Sequence, residues 1–229
     1  MAFQTTVPAA KPAPFIEGGW TGFNPHFTLT NPDEGMWVAG TPGPIIGRFA
    51  FANVANGKVT SAHPGASDVR VGFVHRDQPA IIAGLLAGDN NQAVSGQGID
   101  LLEDGPVAAK FAAGVAKTGL LVYASYADGS CRAAVAASPA TTTYAATTAS
   151  GSPNLTGVGA GAAPGQPVTG TGIPANTYLV SVSGTTAVMS ANATASGSIT
   201  VTANTDFETL WRTRSVCAAG ELAKISVRG

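Results

Sequence analysis

The sequence predicts an all-β protein, built as a sandwich or barrel, that carries a second, smaller all-β module. Glycine (29) and proline (15) are abundant among the 229 residues, whereas charged residues make up only 11%. An average soluble domain is about 25% charged, so this composition favours a turn-rich β protein. No Asp, Glu, Lys or Arg occurs between Arg132 and Asp206. This change in composition predicts two modules in one chain.

Up to Arg132, the sequence predicts short strands separated by turns. The pair Asn56-Gly57 separates two apolar segments, which is the strongest short-range signal for a hairpin. Alternating apolar residues over 68–76 predict a strand, and Asp128-Gly129 predicts a second hairpin. The apolar spacing of residues 77–90 fits a helix that begins at Asp77, but a central glycine leaves a strand equally open.

The uncharged stretch divides into two parts. Residues 133–167 consist largely of Ala, Thr, Ser, Gly and Pro, which bury too little apolar surface to offset their ordering entropy, and this predicts a linker or mobile loop. From Val168 onward, alternation predicts a small β module of about 40 residues. Its strands are expected around residues 178–183, after the turn at 183–186, and at Ser198–Thr202, with Tyr178, Val180 and Val182 on one face of the first.

The N-terminal segment, residues 1–25, has the composition of an extended arm. Four prolines favour an extended backbone, and four large aromatic residues provide apolar anchors. The aromatic residues either pack into the protein's own barrel or dock on a neighbouring subunit, and the sequence leaves both open. The predicted organisation is therefore an arm at 1–25, a core at 26–137 and 205–229, and a linker plus β insertion at 138–204.

Net charge and hydropathy argue against two classes of partner. Twelve basic and thirteen acidic residues give a formal charge of -1, which provides no large field to attract nucleic acid or an anionic membrane. The most apolar stretch, residues 111–127, is interrupted by Lys117 and Gly119 and is shorter than the roughly 20 residues of a membrane span. Residues 1–20 lack the basic and apolar regions of a secretory signal. We therefore expect no nucleic-acid or membrane partner.

Tests for catalysis are negative. His75-Arg76-Asp77 begins like a protein-kinase catalytic loop, but that motif needs an Asn five residues after the Asp, where this chain has Ile82. The triplet is better explained by one charged hydrogen bond and one solvated or interface contact. The three histidines lack the spacing of metal ligands. We predict that Cys131 and Cys217 are reduced structural thiols. We expect no catalytic residue, no metal, no cofactor and no enzymatic activity.

Several segments, in order, resemble a known family. They are "FQTTV" near the start, "VAGTPGPIIGRFAFAN" (38–53), "GFVHRDQPAII" (72–82), "YASYADGS" (123–130) and "AAGELAKIS" (218–226). Together they resemble the structural cement, or decoration, proteins of tailed bacteriophages. The resemblance covers residues 1–132 and 206–229, and it implies a compact β-barrel or jelly-roll-like domain on the outside of the capsid, without catalytic residues. The uncharged stretch departs from it and is similar to small β repeats of phage tail and fibre proteins.

The resemblance sets the functional expectations. It implies a protein of the virion's outer capsid surface that binds the major capsid protein, bridges neighbouring subunits and forms a homodimer or homotrimer. An alternative is a fibre-like receptor-binding module that acts through residues 141–204, with a host-surface glycan as its ligand. The candidate contact residues are aromatic residues of the arm and basic residues near the triplet and the C-terminus: Phe3, Phe15, Trp20, Phe23, Arg76, Arg212, Arg214 and Lys224.

Overall fold

A computed structural model describes residues 16–22, 26–32, 35–76 and 91–228 of the chain. These ranges contain eighteen strands in three sheets and no helix. The predicted all-β class is therefore confirmed, as is a β insertion ahead of the last strands. Phe3, Phe15, Phe23 and the helix-or-strand segment 77–90 lie outside the described residues.

The first sheet has seven strands in the order β1-β7-β5-β3-β4-β2-β6. Its strands are β1 (Phe27–Thr28), β2 (Trp37–Ala39), β3 (Phe49–Asn53), β4 (Lys58–Thr60), β5 (Val69–Val74), β6 (Gly98–Ile99) and β7 (Leu101–Asp104). The hairpin predicted at Asn56-Gly57 joins β3 to β4, and Gly57 takes the left-handed conformation, with φ of 66°, that such turns require. The strand predicted over 68–76 is confirmed as β5.

The second sheet has five strands and packs against the first to form a sandwich. Its strands are β8 (Val107–Lys110), β9 (Leu121–Ser125), β10 (Cys131–Ala134), β17 (Asp206–Thr213) and β18 (Leu222–Ser226), in the order β10-β9-β17-β18-β8. The hairpin predicted at Asp128-Gly129 is confirmed between β9 and β10. Along the outer edge of β8, Gly18 N–H donates to the Ala108 carbonyl (2.9 Å), and Arg76 N–H donates to the Gly18 carbonyl (2.8 Å). Residues 18–21 thus tie an edge of the second sheet to the end of β5.

Both faces of the first sheet are buried. Between the two sheets, Phe49, Phe73 and Trp211 form an aromatic cluster with ring centroids 5.4–6.0 Å apart. On the opposite face, Ala50 and Ala52 of β3 belong to a second core with Trp37, Ile46 and Val59. Large side chains on one side of β3 and alanines on the other explain why four of its five residues are buried.

The third sheet lies within residues 141–204, called here the insert. Its strands are β11 (Thr141–Thr148), β12 (Asn154–Thr156), β13 (Val168–Thr169), β14 (Leu179–Ser183), β15 (Thr186–Met189) and β16 (Gly197–Asn204), in the order β13-β16-β11-β12-β15-β14. The two outermost strands are linked, because Val168 N–H donates to the Thr177 carbonyl (2.9 Å) and Leu179 N–H to the Gln166 carbonyl (3.0 Å). The sheet closes on itself around its own core, which removes free strand edges.

The prediction of a linker or mobile loop at 133–167 is wrong. This stretch contains β11, which pairs with β16 over eight residues, and β12, which pairs with both β11 and β15. Tyr144, Ala146 and Thr148 point inward while their neighbours are exposed. Ala and Thr occupy both faces of this strand, so its period of two does not appear as alternation between apolar and polar residues.

The predicted strands of the β module are present, with one difference in side-chain orientation. The turn at 183–186 joins β14 to β15 as expected, and β16, which contains the third predicted strand, pairs with β11 and β13. A register irregularity between Leu179 and Ser181 buries Leu179 and leaves Val180 37% exposed, so the predicted shared face of Tyr178, Val180 and Val182 is wrong. A bulge of this kind shifts side chains to the opposite face. The predicted domain boundaries stay predictions.

Candidate functional site

Three of the candidate contact residues lie together on the outer face of the second sheet. Arg214 N–H donates to the Lys224 carbonyl (2.7 Å), and Arg212 pairs with Ser226 one step along the same two strands. Residues paired directly across antiparallel strands share a face, as do residues two apart on one strand. Arg212, Arg214 and Lys224 therefore project on the same side of the sheet, while the intervening Thr213 and Ile225 are fully buried.

A fourth cation extends this surface onto β8. Lys110 pairs with Leu222, and Leu222 is two residues from Lys224. Lys110, Arg212, Arg214 and Lys224 together form what we call the cationic face. Within the described ranges, none of the four takes part in an ion pair, since the salt bridges there join other residues. The chain is almost neutral overall, yet it concentrates positive charge on one side of one sheet.

The two arginines are held in place by the protein. The Arg214 guanidinium donates to Ser226 Oγ (2.9 Å) and to the Val227 carbonyl (3.2 Å), and Arg212 donates to the Gly119 carbonyl (3.2 Å). Fixing a long side chain before binding reduces the conformational entropy that association costs. The geometry is suited to a preorganised contact with acidic groups on another protein.

Trp20 and Arg76 lie away from the cationic face. Trp20 pairs with Val107 at the edge of β8 and remains 40% exposed. Its ring contacts those of His26 (centroids 4.6 Å apart) and His75 (5.4 Å) at tilted angles. Arg76 is partly buried and donates to the Glu17 carbonyl (3.1 Å) and to Asn91 Oδ1 (2.8 Å). Trp20 thus packs partly against its own chain, and Arg76 joins two segments at the edge of the sandwich.

Leu210 is a surface feature that the sequence reasoning missed. Glu208 pairs with Tyr123 and Arg212 with Leu121, so three residues of β17 lie opposite Val122 alone. In this bulge the Thr209 hydroxyl donates to the Val122 carbonyl (2.6 Å) and accepts from Trp211 N–H (3.2 Å), and Leu210 is 80% exposed. The signal was present in "DFETLWRT", where a leucine stands at an outward position between two charged residues.

A groove of about 390 Å³ opens beside this bulge. It is lined by residues from both sheets of the sandwich: Phe49, Val71, Glu103, Phe207, Glu208, Thr209, Leu210 and Trp211. Hydrogen bonds from Ala137 N–H and the Tyr123 hydroxyl hold the pKa of the Glu208 carboxyl below its usual range. The groove therefore combines an apolar floor with an acidic rim.

The chain enters and leaves the insert beside an ion pair of the sandwich, a region called here the neck. Arg132 Nε donates to Asp206 Oδ2 (2.6 Å), and Ala140 N–H donates to Asp206 Oδ1 (2.7 Å). Thr205 N–H donates to the Ala140 carbonyl (2.8 Å), which brings the chain entering the insert next to the chain leaving it. Asp206 is 5% exposed, so these contacts replace water around its carboxylate.

Above the neck, the insert packs on the loop after β4. A Cβ added to Gly165 would overlap the His63 ring, and one added to Gly65 would overlap the Val180 carbonyl, so both glycines allow close approach. Beside these contacts is a cleft of about 400 Å³, lined by His63, Ala66, Ser67, Gly165, Pro167, Asn176, Thr177 and Tyr178. Desolvation lowers the pKa of His63 to about 4, so its ring is neutral at pH 7.

Features typical of metal or redox chemistry are not found in the described residues. These ranges hold no cluster of three or more His, Cys, Asp or Glu side chains able to bind a metal. Cys131 and Cys217 are free, and burial raises the pKa of the Cys131 thiol, which makes the reactive thiolate scarce. No helix long and apolar enough to cross a bilayer occurs in the described part of the chain.

Comparison with known proteins identifies the family. The family model described as XM1 gp53 minor capsid protein matches residues 3–161, more than half of the chain. No curated protein matches. The matched range includes β11 and β12, so it extends into the insert, beyond the segments on which the resemblance to cement proteins was based. The family is structural and not enzymatic. The chain therefore belongs to the XM1 gp53 minor capsid protein family and is a phage minor capsid protein, a component of the virion capsid.

Proposed function

We propose that this minor capsid protein is a cement protein that binds the outer surface of the major capsid shell and bridges neighbouring subunits. The observation that carries the proposal is the cationic face, in which Lys110, Arg212, Arg214 and Lys224 project from one sheet without ion-pair partners in the described ranges. A rigid sheet supports these charges, and two arginines are already positioned by hydrogen bonds. The acidic groups that complement them belong to the capsid partner.

The expected energetics are those of many modest contacts. An interface of about 1,600 Å² is of the usual size for a specific complex. Bridging two subunits makes the second contact intramolecular and raises its effective concentration, so each copy resists separation of the subunits it joins. Local two-fold and three-fold axes of a capsid present repeated sites, which favours binding as a homodimer or homotrimer.

The test is binding to particles that lack this protein. The double variant Arg212→Glu/Lys224→Glu reverses two charges of the cationic face, and we expect at least tenfold weaker binding in co-sedimentation together with a loss of the capsid's added heat resistance. The matched control is Lys58→Glu/Arg70→Glu, which reverses two exposed cations on the first sheet. Equal binding by both variants, or particles of equal heat resistance with and without the protein, would contradict the proposal.

A second candidate function is recognition of a host-surface glycan through the insert. It is favoured by the cleft between the insert and the sandwich, whose lining carries no charged side chain at pH 7 and includes Ser67, Asn176 and Tyr178. Hydroxyl and amide groups beside an aromatic ring suit a neutral saccharide. Deletion of residues 141–204 tests it, because Ala140 and Thr205 are already hydrogen-bonded neighbours that a short linker can join. Binding to host cells or polysaccharide should be lost, and its persistence would exclude this candidate.

A further inference from the structure

We infer that the groove beside the β17 bulge is a second docking surface, which binds an extended segment of a neighbouring capsid subunit as an added strand. The segment would pair with the open edge of β17, place an apolar side chain against Leu210 and place a basic side chain beside Glu103. This inference rests on the proposed cement function and specifies a second contact, which adjoins the cationic face at Arg212.

The first argument is the strand edge. In the described part of the chain, β18 pairs with β17 only at Arg212 and Thr213. Beyond Ser226 the chain turns away, because the Val227 and Arg228 N–H groups donate to Asp104 Oδ1 (3.2 and 3.3 Å). Asp206–Glu208 therefore pairs with β9 on one side, and the stretch Asp206–Leu210 has, within the described ranges, no paired strand on the other. An unpaired edge is a template for an extended peptide.

The second argument is the apolar surface beside that edge. Leu210 is the most exposed of the large hydrophobic residues described, at 80%. The floor of the groove is formed by Phe49 and Trp211, with Val71 and Phe207 partly exposed at its sides. A volume of about 390 Å³ accommodates a large side chain with part of its backbone. An added strand that places alternate side chains on this surface would cover Leu210.

The third argument is charge. Glu103 is exposed and forms no ion pair within the described ranges, so it carries most of the uncompensated charge of the rim, because the Glu208 carboxylate already accepts two hydrogen bonds and lies near Arg212. A Lys or Arg next to the apolar residue of the incoming segment would complement this rim. A symmetric contact between two copies of this chain would instead place Glu103 and Glu208 near their own counterparts, which repel. Charge thus favours a capsid segment over a second copy.

The bulge itself is fixed by the protein. The Thr209 hydroxyl bonds to both Val122 and Trp211, so the outward position of Leu210 is part of the folded sheet. Bulges commonly redirect side chains at functional edges. The exposed leucine is thus held in place before any partner binds.

The experiment compares Leu210→Ser with Val216→Ser, since Val216 is 60% exposed and does not line the groove. Binding to particles that lack the protein should fall at least fivefold for Leu210→Ser and less than twofold for Val216→Ser. In hydrogen exchange of the wild type, the amides of residues 206–210 should become protected on binding. Thermal melting of both variants in the unbound state controls for folding.

The outcomes separate this inference from the cement function. Normal binding by Leu210→Ser with unchanged exchange at 206–210 overturns the inference, while cement function survives if the charge-reversal variant still fails to bind. If the purified wild type self-associates and Leu210→Ser abolishes this without affecting particle binding, the occupant is a second copy and the inference is wrong. If the wild type does not bind particles at all, both proposals fail.

Discussion

The sandwich and the insert are both all-β modules, but they are stabilised in different ways. Every charged residue of the chain lies outside the insert, and the sandwich packs large aromatic side chains, such as Phe49, Phe73 and Trp211, between its sheets. The insert has no charged residue, and its core is built mainly from Ala and Val with Tyr144, Leu155, Leu179 and Met189. The sandwich therefore depends on large buried side chains, whereas the insert depends on closing its sheet so that main-chain groups are paired.

The comparison extends to the surfaces that each module presents. The sandwich keeps unpaired cations on one sheet and, within the described ranges, an open edge at β17, both of which are suited to binding a partner. The insert is neutral and its outermost strands are linked, so it offers neither feature. This division fits the proposed cement function, in which the sandwich would bind the capsid lattice and the insert would add neutral surface.

Trp211→Ala should cause the largest effect on the sandwich. Trp211 is 3% exposed and touches both Phe49 and Phe73, and loss of a buried Trp side chain costs about 3–5 kcal/mol of unfolding free energy. The adjacent Leu210→Ala is the control, because Leu210 is 80% exposed and a surface substitution changes stability by about 0.5 kcal/mol or less. Denaturant unfolding measures both, and similar values would contradict the assigned core.

Leu155→Ala should destabilise the insert by about 2–4 kcal/mol, since Leu155 is fully buried in the insert's core. The sharper expectation is where the effect appears. Hydrogen exchange should accelerate for amides within 141–204 and remain unchanged in β3 if the two modules open separately. Val188→Ala, at a 36% exposed site in the same sheet, should have a much smaller effect. Equal acceleration in β3 would show that the modules unfold as one unit.

Asp206→Asn tests the neck between the two modules. The substitution removes the charge paired with Arg132 and places an amide donor in the site. We expect the free energy of unfolding to fall by about 1–2 kcal/mol, a modest amount because Arg132 is one-third exposed and solvent weakens the ion pair. Asp128→Asn is the control. Both side chains of the Arg48–Asp128 pair are partly exposed (34% and 42%), so this pair should contribute less to the free energy of unfolding. Thermal unfolding compares the two, and a larger loss for Asp128→Asn would contradict this ranking.

The sequence predicted local features well and long-range ones poorly. The turns at Asn56-Gly57 and Asp128-Gly129 were predictable because their conformations are set by the turn residues themselves. Strand β11 was missed because Ala and Thr conceal its two faces. The cationic face needed the pairing of β18 with β8, which joins Lys110 to a strand far later in the chain and cannot be read from neighbouring residues. The family came from similarity, since no side-chain pattern specifies a capsid partner.

The smallest expected effect is a dependence on pH at the contact between the two modules. Burial lowers the pKa of His63 to about 4 in the folded protein, against 6.5 when unfolded, so the unfolded chain takes up the proton first as the pH falls. The stabilisation that comes from His63 is therefore fully present above pH 6.5 and is lost between pH 6.5 and 4. We expect this loss to lower the free energy of unfolding by about 1 kcal/mol, because the ring is only partly buried. The difference in unfolding free energy between wild type and His63→Gln, measured from pH 7.5 to 4, isolates this contribution from that of the carboxylates. Deleting residues 141–204 removes Gly165 from the His63 ring and returns water to it, so the difference should shrink. A pH dependence that survives the deletion at full size would show that the sandwich alone, and not its contact with the insert, keeps His63 neutral.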